Sequence, residues 1–384
     1  MKTIYLDNAA TTRICKEAAK AVEKCQTEYY GNASSIHHKG VEARGEIEKA
    51  RKVIAGAINA KEGEGEIIFT SGGTEANNLA IKGIAFSNPD KKHIITTKIE
   101  HDCVLNACKW LEGQGFSVDY LDVNGEGFVN LNELEQKIRE DTILVSIIHA
   151  NNEVGTIQNL SGIYDICKRK NVYFHTDGCQ SFTKAKLDAS MADLITLNSH
   201  KIHGPKGVGA LYVKKGVKII PLLHGGGHEK NMRSGTENVP GICGFAKAAE
   251  IGMNEKYVRE MAELRDWFIE KLLEIEGTKL NGPRGEKRIC NNINISFKGV
   301  EGESIVAELD GEGICASTGS ACASKSLDAS HVIMAISKNN HERAHGSIRF
   351  SLSRENTKEE IEFAVKETKK AVERLREISP VAKK

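Results

Sequence analysis

The chain has 384 residues and carries 53 Lys and Arg against 52 Asp and Glu, for a net charge of +1. That length supplies a large core, enough for one large domain and a smaller one. Charges of both signs are mixed with no basic stripe, and no apolar run approaches the roughly 20 residues that cross a bilayer, so direct nucleic-acid or membrane binding is not expected.

At the N-terminus, Met1-Lys-Thr-Ile-Tyr-Leu-Asp7 reaches an acid too early for the apolar core of a signal peptide. From about residue 60 to 215, short β-rich runs alternate with helical segments. The runs are 66–70, 93–97, 143–148, 172–176, 193–197 and 210–213, with helices such as 131–140 and 161–169 between them. Several runs are apolar on both faces, as in a parallel sheet covered by helices, so an α/β domain is expected with ligands at the carboxyl ends of its strands. Residues 240 to about 276 read as one long helical region leaving the sheet. Strands at 292–297 and 347–352, a short helix at 304–309 and a capping box at Thr357-Lys-Glu-Glu360 opening a last helix predict a smaller α+β domain. The tail 380–384 is short and expected to fray. Cys15, Cys25, Cys103, Cys108, Cys167, Cys179, Cys243, Cys290, Cys315 and Cys322 form no C-x-x-C pair. Such irregular spacing predicts reduced thiols in a cytoplasmic protein, most of them inert, with Cys315 buried at the edge of an apolar run.

The segment Thr196-Leu-Asn-Ser-His-Lys201-Ile-His-Gly-Pro-Lys-Gly207 sets a lysine between an apolar strand and a tight turn. Lysines shielded from water in this way form Schiff bases with aldehydes. Asp177 ends an earlier strand, and a lysine with a carboxylate is the pair that pyridoxal 5'-phosphate (PLP) requires. Taken singly, each has an ordinary reading, a solvated lysine and a strand-end cap. Thr70-Ser-Gly-Gly-Thr-Glu-Ala-Asn-Asn78 follows a strand and opens a helix, which suits an anion such as phosphate or serves only as a capped turn. His101 after the 93–97 strand can stack on a flat ring or move protons, and it can equally be structural. Cys322 lies in a Ser/Gly/Ala-rich stretch, as a nucleophile or as an idle surface thiol. Arg349, a charge in a β-rich run, suits a substrate carboxylate or an internal acidic partner. His224-Gly-Gly-Gly-His228 lacks a third ligand, so no metal is expected.

Ten segments in one order resemble cysteine desulfurases of the NifS/IscS type. They include Tyr5-Leu-Asp-Asn-Ala-Ala-Thr-Thr12, Gly31-Asn-Ala-Ser-Ser-Ile-His37, His149-Ala-Asn-Asn-Glu-Val-Gly155, His175-Thr-Asp-Gly-Cys-Gln-Ser181, Met232-Arg-Ser-Gly-Thr-Glu-Asn238 and Ser317-Thr-Gly-Ser-Ala-Cys322, besides the stretches around Gly73, His101, Lys201 and Arg349. The resemblance covers nearly the whole chain, and the Ser/Gly-rich stretch around Cys322 resembles the class I branch. It implies a PLP-dependent transferase of fold type I, α/β, with a central mainly parallel seven-stranded sheet. The large domain would span residues 13–255, and residues 1–12 with 256–384 would form the small α+β domain carrying the cysteine.

The resemblance also implies roles. Lys201 would hold PLP, Asp177 would pair with its pyridinium nitrogen, and His101 would stack on the ring and help move protons. Gln180 and Asn152 would bond the ring hydroxyl oxygen, Asn152 also lying near substrate. Gly73, Thr74, Asn198 and His200 would hold the phosphate, and Thr236 would reach it from the second subunit of a homodimer. Arg349 would grip the carboxylate of L-cysteine. Cys322 would take its sulfur as a persulfide, alanine would leave, and an iron–sulfur scaffold or other acceptor protein would receive the sulfur. Asn198 stands where the family usually has serine, Ala33 where it usually has proline, and the C-terminal tail is shorter than in relatives that dock a scaffold with theirs. Selenocysteine cleavage, aminotransfer, and a sulfur relay without catalysis are the competing readings. A thiol at 322 argues against aminotransfer, and Lys201, Asp177, His101 and Cys322 together argue against a non-catalytic relay.

Overall fold

The computed structural model describes residues 3–319 and 329–378. Cys322 and the tail 380–384 lie outside the described residues. The chain opens with β1 (Ile4–Tyr5), α1 (Lys16–Thr27) and α2 (His38–Ala57). An alternating series follows: β2 (Gly65–Thr70), α3 (Gly73–Ser87), β3 (His93–Thr97), α4 (Asp102–Glu112), β4 (Ser117–Leu121), α5 (Leu131–Lys137), β5 (Thr142–Ser146), α6 (Leu160–Arg169), β6 (Tyr173–Asp177), β7 (Leu194–Asn198) and β8 (Gly209–Lys214). Next come α7 (Val239–Gly252), α8 (Glu255–Leu273), β9 (Thr278–Leu280), β10 (Asn292–Phe297), α9 (Gly302–Gly311) and β11 (Ile314–Cys315). The described chain closes with α10 (His331–Ile336), α11 (His341–His345), β12 (Ser347–Ser351) and α12 (Lys358–Ile378).

Seven strands form the central sheet in the order β2-β8-β7-β6-β5-β3-β4. Only β8 runs against its neighbours; every other pair is parallel. All residues of β3, β5 and β7 are buried. The reason is the period-2 alternation of a strand covered on both sides. Ile94, Leu144 and Leu194 pack with α3 and α4, while Ile95, Val145 and Ile195 pack with α1, α2, α6 and α7. Strand β4 escaped the sequence reading because it is a half-buried edge with Ser117 and Asp119 in it.

Two further expectations are corrected. The helical region from 240 onward is two helices, because Asn254 leaves helical geometry and its side chain accepts the Lys256 N–H, capping α8. Cys315 is half-buried rather than buried. The capping box forms as expected: Thr357 Oγ1 accepts the Glu360 N–H, and Glu360 Oε2 accepts the Thr357 N–H, each at 3.3 Å.

The second layer is an antiparallel sheet, β12-β10-β9, packed against α8, α9 and α12. Its core includes Phe268, Phe297, Ile305, Phe350, Ile361 and Val372, and Ile4 and Leu6 of the N-terminus join it. Strand β1 pairs in parallel with β11, so the first residues of the chain belong to this layer. Among the described residues no helix is long and apolar enough to cross a membrane.

The rings of Phe268 and Phe350 lie 5.1 Å apart in this core. Phe350→Ala should cost about 3–5 kcal/mol by cavity formation. A urea denaturation series should show the loss; a change below about 1 kcal/mol would mean this layer can collapse around the gap.

Candidate active site

Strands β2, β3, β5, β6 and β7 deliver their carboxyl ends to one cavity of about 420 Å³. Gly73 and Thr74 follow β2, His101 follows β3, Asn152 follows β5, Asp177 ends β6, and Asn198, His200 and Lys201 come at and beyond the end of β7. The mouths of a parallel sheet are where backbone polar groups are free for a ligand, which is why five separate stretches of sequence converge here.

Asp177 is almost fully buried. Burial works to raise its pKa, but the Cys179 N–H, the His101 ring and the Asn77 amide outweigh it and hold the carboxyl below its ordinary value. The Cys179 N–H donates to Oδ1 at 2.9 Å and Asn77 Nδ2 to Oδ2 at 2.7 Å. Asp177 is therefore a carboxylate at neutral pH. His101 caps α4, with Nδ1 accepting the Cys103 N–H at 3.2 Å. Burial, and then the charge of Lys201, lower its pKa and keep the ring neutral.

One end of the cavity suits an anion. Helix α3 starts there with no side-chain cap, and Gly73 and Thr74 line the wall. A Cβ on Gly73 would come within 2.5 Å of Cys179 Sγ, so only glycine lets the helix start this close to the floor. Asn198 Nδ2 donates to His200 Nε2 at 3.3 Å, and burial followed by the charge of Lys201 pulls the His200 pKa down to about 4.

At the other end stands Arg349. Its Nη2 donates to Asp7 Oδ1 at 2.8 Å and its Nη1 to the Asn152 carbonyl at 3.1 Å, while Nε is buried without a partner. The internal acidic partner considered from sequence thus exists, and it anchors a guanidinium that still lines the cavity. Gly319 and Ala329, the residues bounding the stretch that carries Cys322, also line it. Glu153 is buried between them: Ser330 Oγ donates to Glu153 Oε2 at 2.5 Å, and a Cβ on Gly319 would lie 2.9 Å from the same oxygen. Burial raises the Glu153 pKa.

Residues 4–363 match the family model described as aminotransferase class-V. The chain is 51% identical over 385 residues to "Cysteine desulfurase IscS" of Dictyoglomus turgidum, covering 99% of this chain and 97% of that one. A solved "NIFS-like protein" matches with TM-score 0.90 and 38% identity, covering 97% of this chain and 100% of that one. A second structure, "SspA in complex with cysteine", matches with TM-score 0.82 and 35% identity over 92% of this chain and 100% of that one. The chain belongs to the cysteine desulfurases of the aminotransferase class-V family.

Cysteine desulfurases of this family imply PLP, and the cavity fits that molecule on its own terms. Asn77 Oδ1, Asn152 Oδ1, Asn198 Oδ1 and Arg349 Nε are buried without partners among the described residues, and all four side chains line this cavity. Unpaired buried polar atoms gathered around one space are the signature of a polar guest. The polar groups also sort as PLP needs: an anion end at α3, a lysine, and a compensated carboxylate.

Gly73, Thr74, His101, Asn152, Asp177, Asn198, His200, Lys201 and Arg349 are thus brought together as the sequence reading expected. Gln180 is buried just behind, donating to the Ala9 carbonyl at 2.9 Å rather than lining the cavity. Thr236 is exposed and not in this protomer's cavity, and Cys322 lies outside the described residues. Sequence reasoning missed Asn77, Cys103, Glu153, Cys179 and His331. Asn77 had a signal: it falls one helical turn past Thr74, on the stretch already singled out.

Beneath His101, Glu100 is buried and its pKa is pushed up from 4.5 to about 8, burial being the main cause. Its Oε1 accepts from Thr97 Oγ1 at 2.7 Å and the Ile148 N–H at 3.0 Å. A raised carboxyl pKa stabilises the fold fully below pH 4.5, and that stabilisation is lost as pH climbs through about 8. Glu100→Gln keeps the carbonyl acceptor and cannot ionise. Its melting temperature should fall less than that of the wild type between pH 6 and 9; parallel curves would contradict an uncharged Glu100.

Proposed function

We propose that this protein removes sulfur from L-cysteine, releasing L-alanine and leaving the sulfur on Cys322 as a persulfide for an acceptor protein, with iron–sulfur cluster assembly as the use. The observation that carries this reading is one cavity holding Lys201, Asp177, His101 and Arg349, with both residues that bound the Cys322 stretch at its wall. The cysteine bound to SspA, a structure similar over 92% of this chain, supports the substrate.

Bound PLP would supply the electron sink that lets the substrate Cα give up its proton and weakens the bond from Cβ to sulfur. The rest is the work of this chain. Lys201 Nζ holds the cofactor and takes the Cα proton. Asp177, kept ionised by Cys179 and Asn77, pairs with a protonated ring nitrogen. The α3 N-terminus, Thr74, Asn198 and His200 hold the phosphate, with backbone N–H groups and the helix dipole favouring the anion. Asparagine at 198 keeps an amide donor there, so the departure from the usual serine does not empty the site. Asn152 Oδ1, which has no other partner, would accept from the ring hydroxyl, and Gln180, donating to the Ala9 carbonyl, backs the wall behind it. Arg349 Nε, also unpaired, bonds the substrate carboxylate. The Cys322 thiolate attacks the substrate sulfur: the S–S bond forms as the Cβ–S bond breaks, and the three-carbon product leaves as alanine.

The exposed position of Thr236 favours a homodimer in which it completes the partner's phosphate site. The packing of Ile4 and Leu6 with Phe268 and Phe350 favours a small domain of residues 1–12 and 256–384 on a large one of 13–255. Nine described cysteines are all free, which favours the reducing cytoplasm.

Two variants test the assignment. Lys201→Ala should lose the visible absorbance of bound PLP and form no alanine; an unchanged spectrum would overturn the role of Lys201. Arg349→Ala should keep PLP but raise KM for L-cysteine roughly tenfold or more, the scale of one charge-assisted hydrogen bond. An unchanged KM would refute its contact with the carboxylate.

A further inference from the structure

Two thiols line the cavity without a part in the proposed reaction, Cys103 and Cys179. Cys103 sits in a chain of contacts that starts at Asp177. Asn77 donates one amide hydrogen to Asp177 Oδ2 at 2.7 Å and the same nitrogen donates to Cys103 Sγ at 3.1 Å. Cys103 Sγ in turn lies 3.0 Å from His101 Nδ1. The Cys103 backbone N–H also donates to Nδ1, at 3.2 Å. An N–H is only ever a donor, so Nδ1 carries a lone pair and the proton of the neutral ring is on Nε2. With Asn77 occupying an acceptor site on the sulfur, the thiol hydrogen is directed at that same Nδ1 lone pair.

We propose that Cys103 is a positioning residue for the desulfurase reaction: its thiol, pinned by Asn77, donates to His101 Nδ1 and keeps that ring neutral, with its single proton on Nε2. The inference rests on the function proposed above only for the reaction it serves. Cys103 is no nucleophile, because burial pushes its pKa up to about 12 and the thiol stays protonated. It acts as a weak donor instead. Protonating His101 on Nδ1 would break this contact, so the contact lowers the pKa of the ring.

The other groups facing His101 pull both ways. Lys201 and His331 oppose a second positive charge, while Asp177 and Asp102 favour it. Glu100, next in sequence, is uncharged below about pH 8. Burial and Lys201 win, and the ring is neutral already; Cys103 adds to that and fixes which nitrogen is blocked. The consequence for the site is a division of labour. Lys201 is the base, and His101 offers the cavity a hydrogen-bond donor from a neutral ring.

The test compares PLP-loaded wild type, Cys103→Ala and Cys103→Ser by the pH dependence of kcat/KM for L-cysteine. Alanine removes the donor, so the acidic inflection should move up by about half a unit or more, the scale of one weak hydrogen bond. Serine restores an O–H donor and should return the inflection to the wild-type value. An unmoved inflection in Cys103→Ala, or a serine variant that behaves like alanine, would overturn the proposal. Nitrogen NMR of 15N-histidine-labelled wild type, with His101 assigned through His101→Gln, needs no variant at Cys103 and no turnover. It should show a neutral ring protonated on Nε2 from pH 6 to 8; an imidazolium or an Nδ1-protonated ring would overturn it. A wild type that binds PLP yet makes no alanine would sink the desulfurase reading and leave the NMR result to decide the contact.

Discussion

A carboxylate without water must be compensated by its surroundings, and Asp177 is the charge around which this cavity is arranged. An uncompensated buried ion costs several kcal/mol after relaxation. The cost is offset here by a backbone N–H from Cys179 and an amide from Asn77. Each of those contacts fixes a further element. Asn77 fixes the rotation of α3 and hence the direction of its open N-terminus. Cys179 fixes the turn after β6 and limits residue 73 to glycine. The buried charge is thus the cause of the local geometry as well as part of the chemistry, and a bound cationic ring nitrogen would be its natural partner.

The two layers meet at the cavity through the first dozen residues. Asp7 pairs with Arg349, and Asn8 Nδ2 and the Ala9 N–H bond to the Ser351 carbonyl and hydroxyl. A few residues on, Thr12 takes both its backbone and hydroxyl hydrogens to the His200 carbonyl, and its oxygen accepts the His203 N–H. One short segment therefore ties β12, which carries Arg349, to the turn that carries Lys201. The groups assigned to substrate and cofactor are held in register by neutral hydrogen bonds and one ion pair, not by a rigid element spanning both layers.

Much of this was legible in the sequence, for a physical reason. Strands buried on both faces are short apolar runs, and their carboxyl ends are followed at once by the polar residues of the site. His101, Asp177 and Lys201 are therefore legible from the sequence as residues that follow strand ends. Strand β4 is not, since an edge strand needs no apolar run, and the break at Asn254 hid inside a continuous helical pattern. The partners of the site were illegible for another reason. Asp7 and Arg349 are separated by 342 residues, and Asn77 and Asp177 by 100. Such contacts are products of tertiary closure and leave no local pattern. The same holds for Cys103, which by sequence is one thiol among ten and by structure is the link between Asn77 and His101.

The central claim is that the sulfur of L-cysteine leaves through Cys322 by the action of this one cavity. The direct measurement is a paired assay of alanine and sulfide formed from L-cysteine with a reductant present, for wild type and Cys322→Ser, both loaded with PLP. Equal amounts of alanine and sulfide are expected from the wild type, and neither from Cys322→Ser despite retained PLP. Desulfuration that persists in Cys322→Ser would contradict it and assign the sulfur to another thiol.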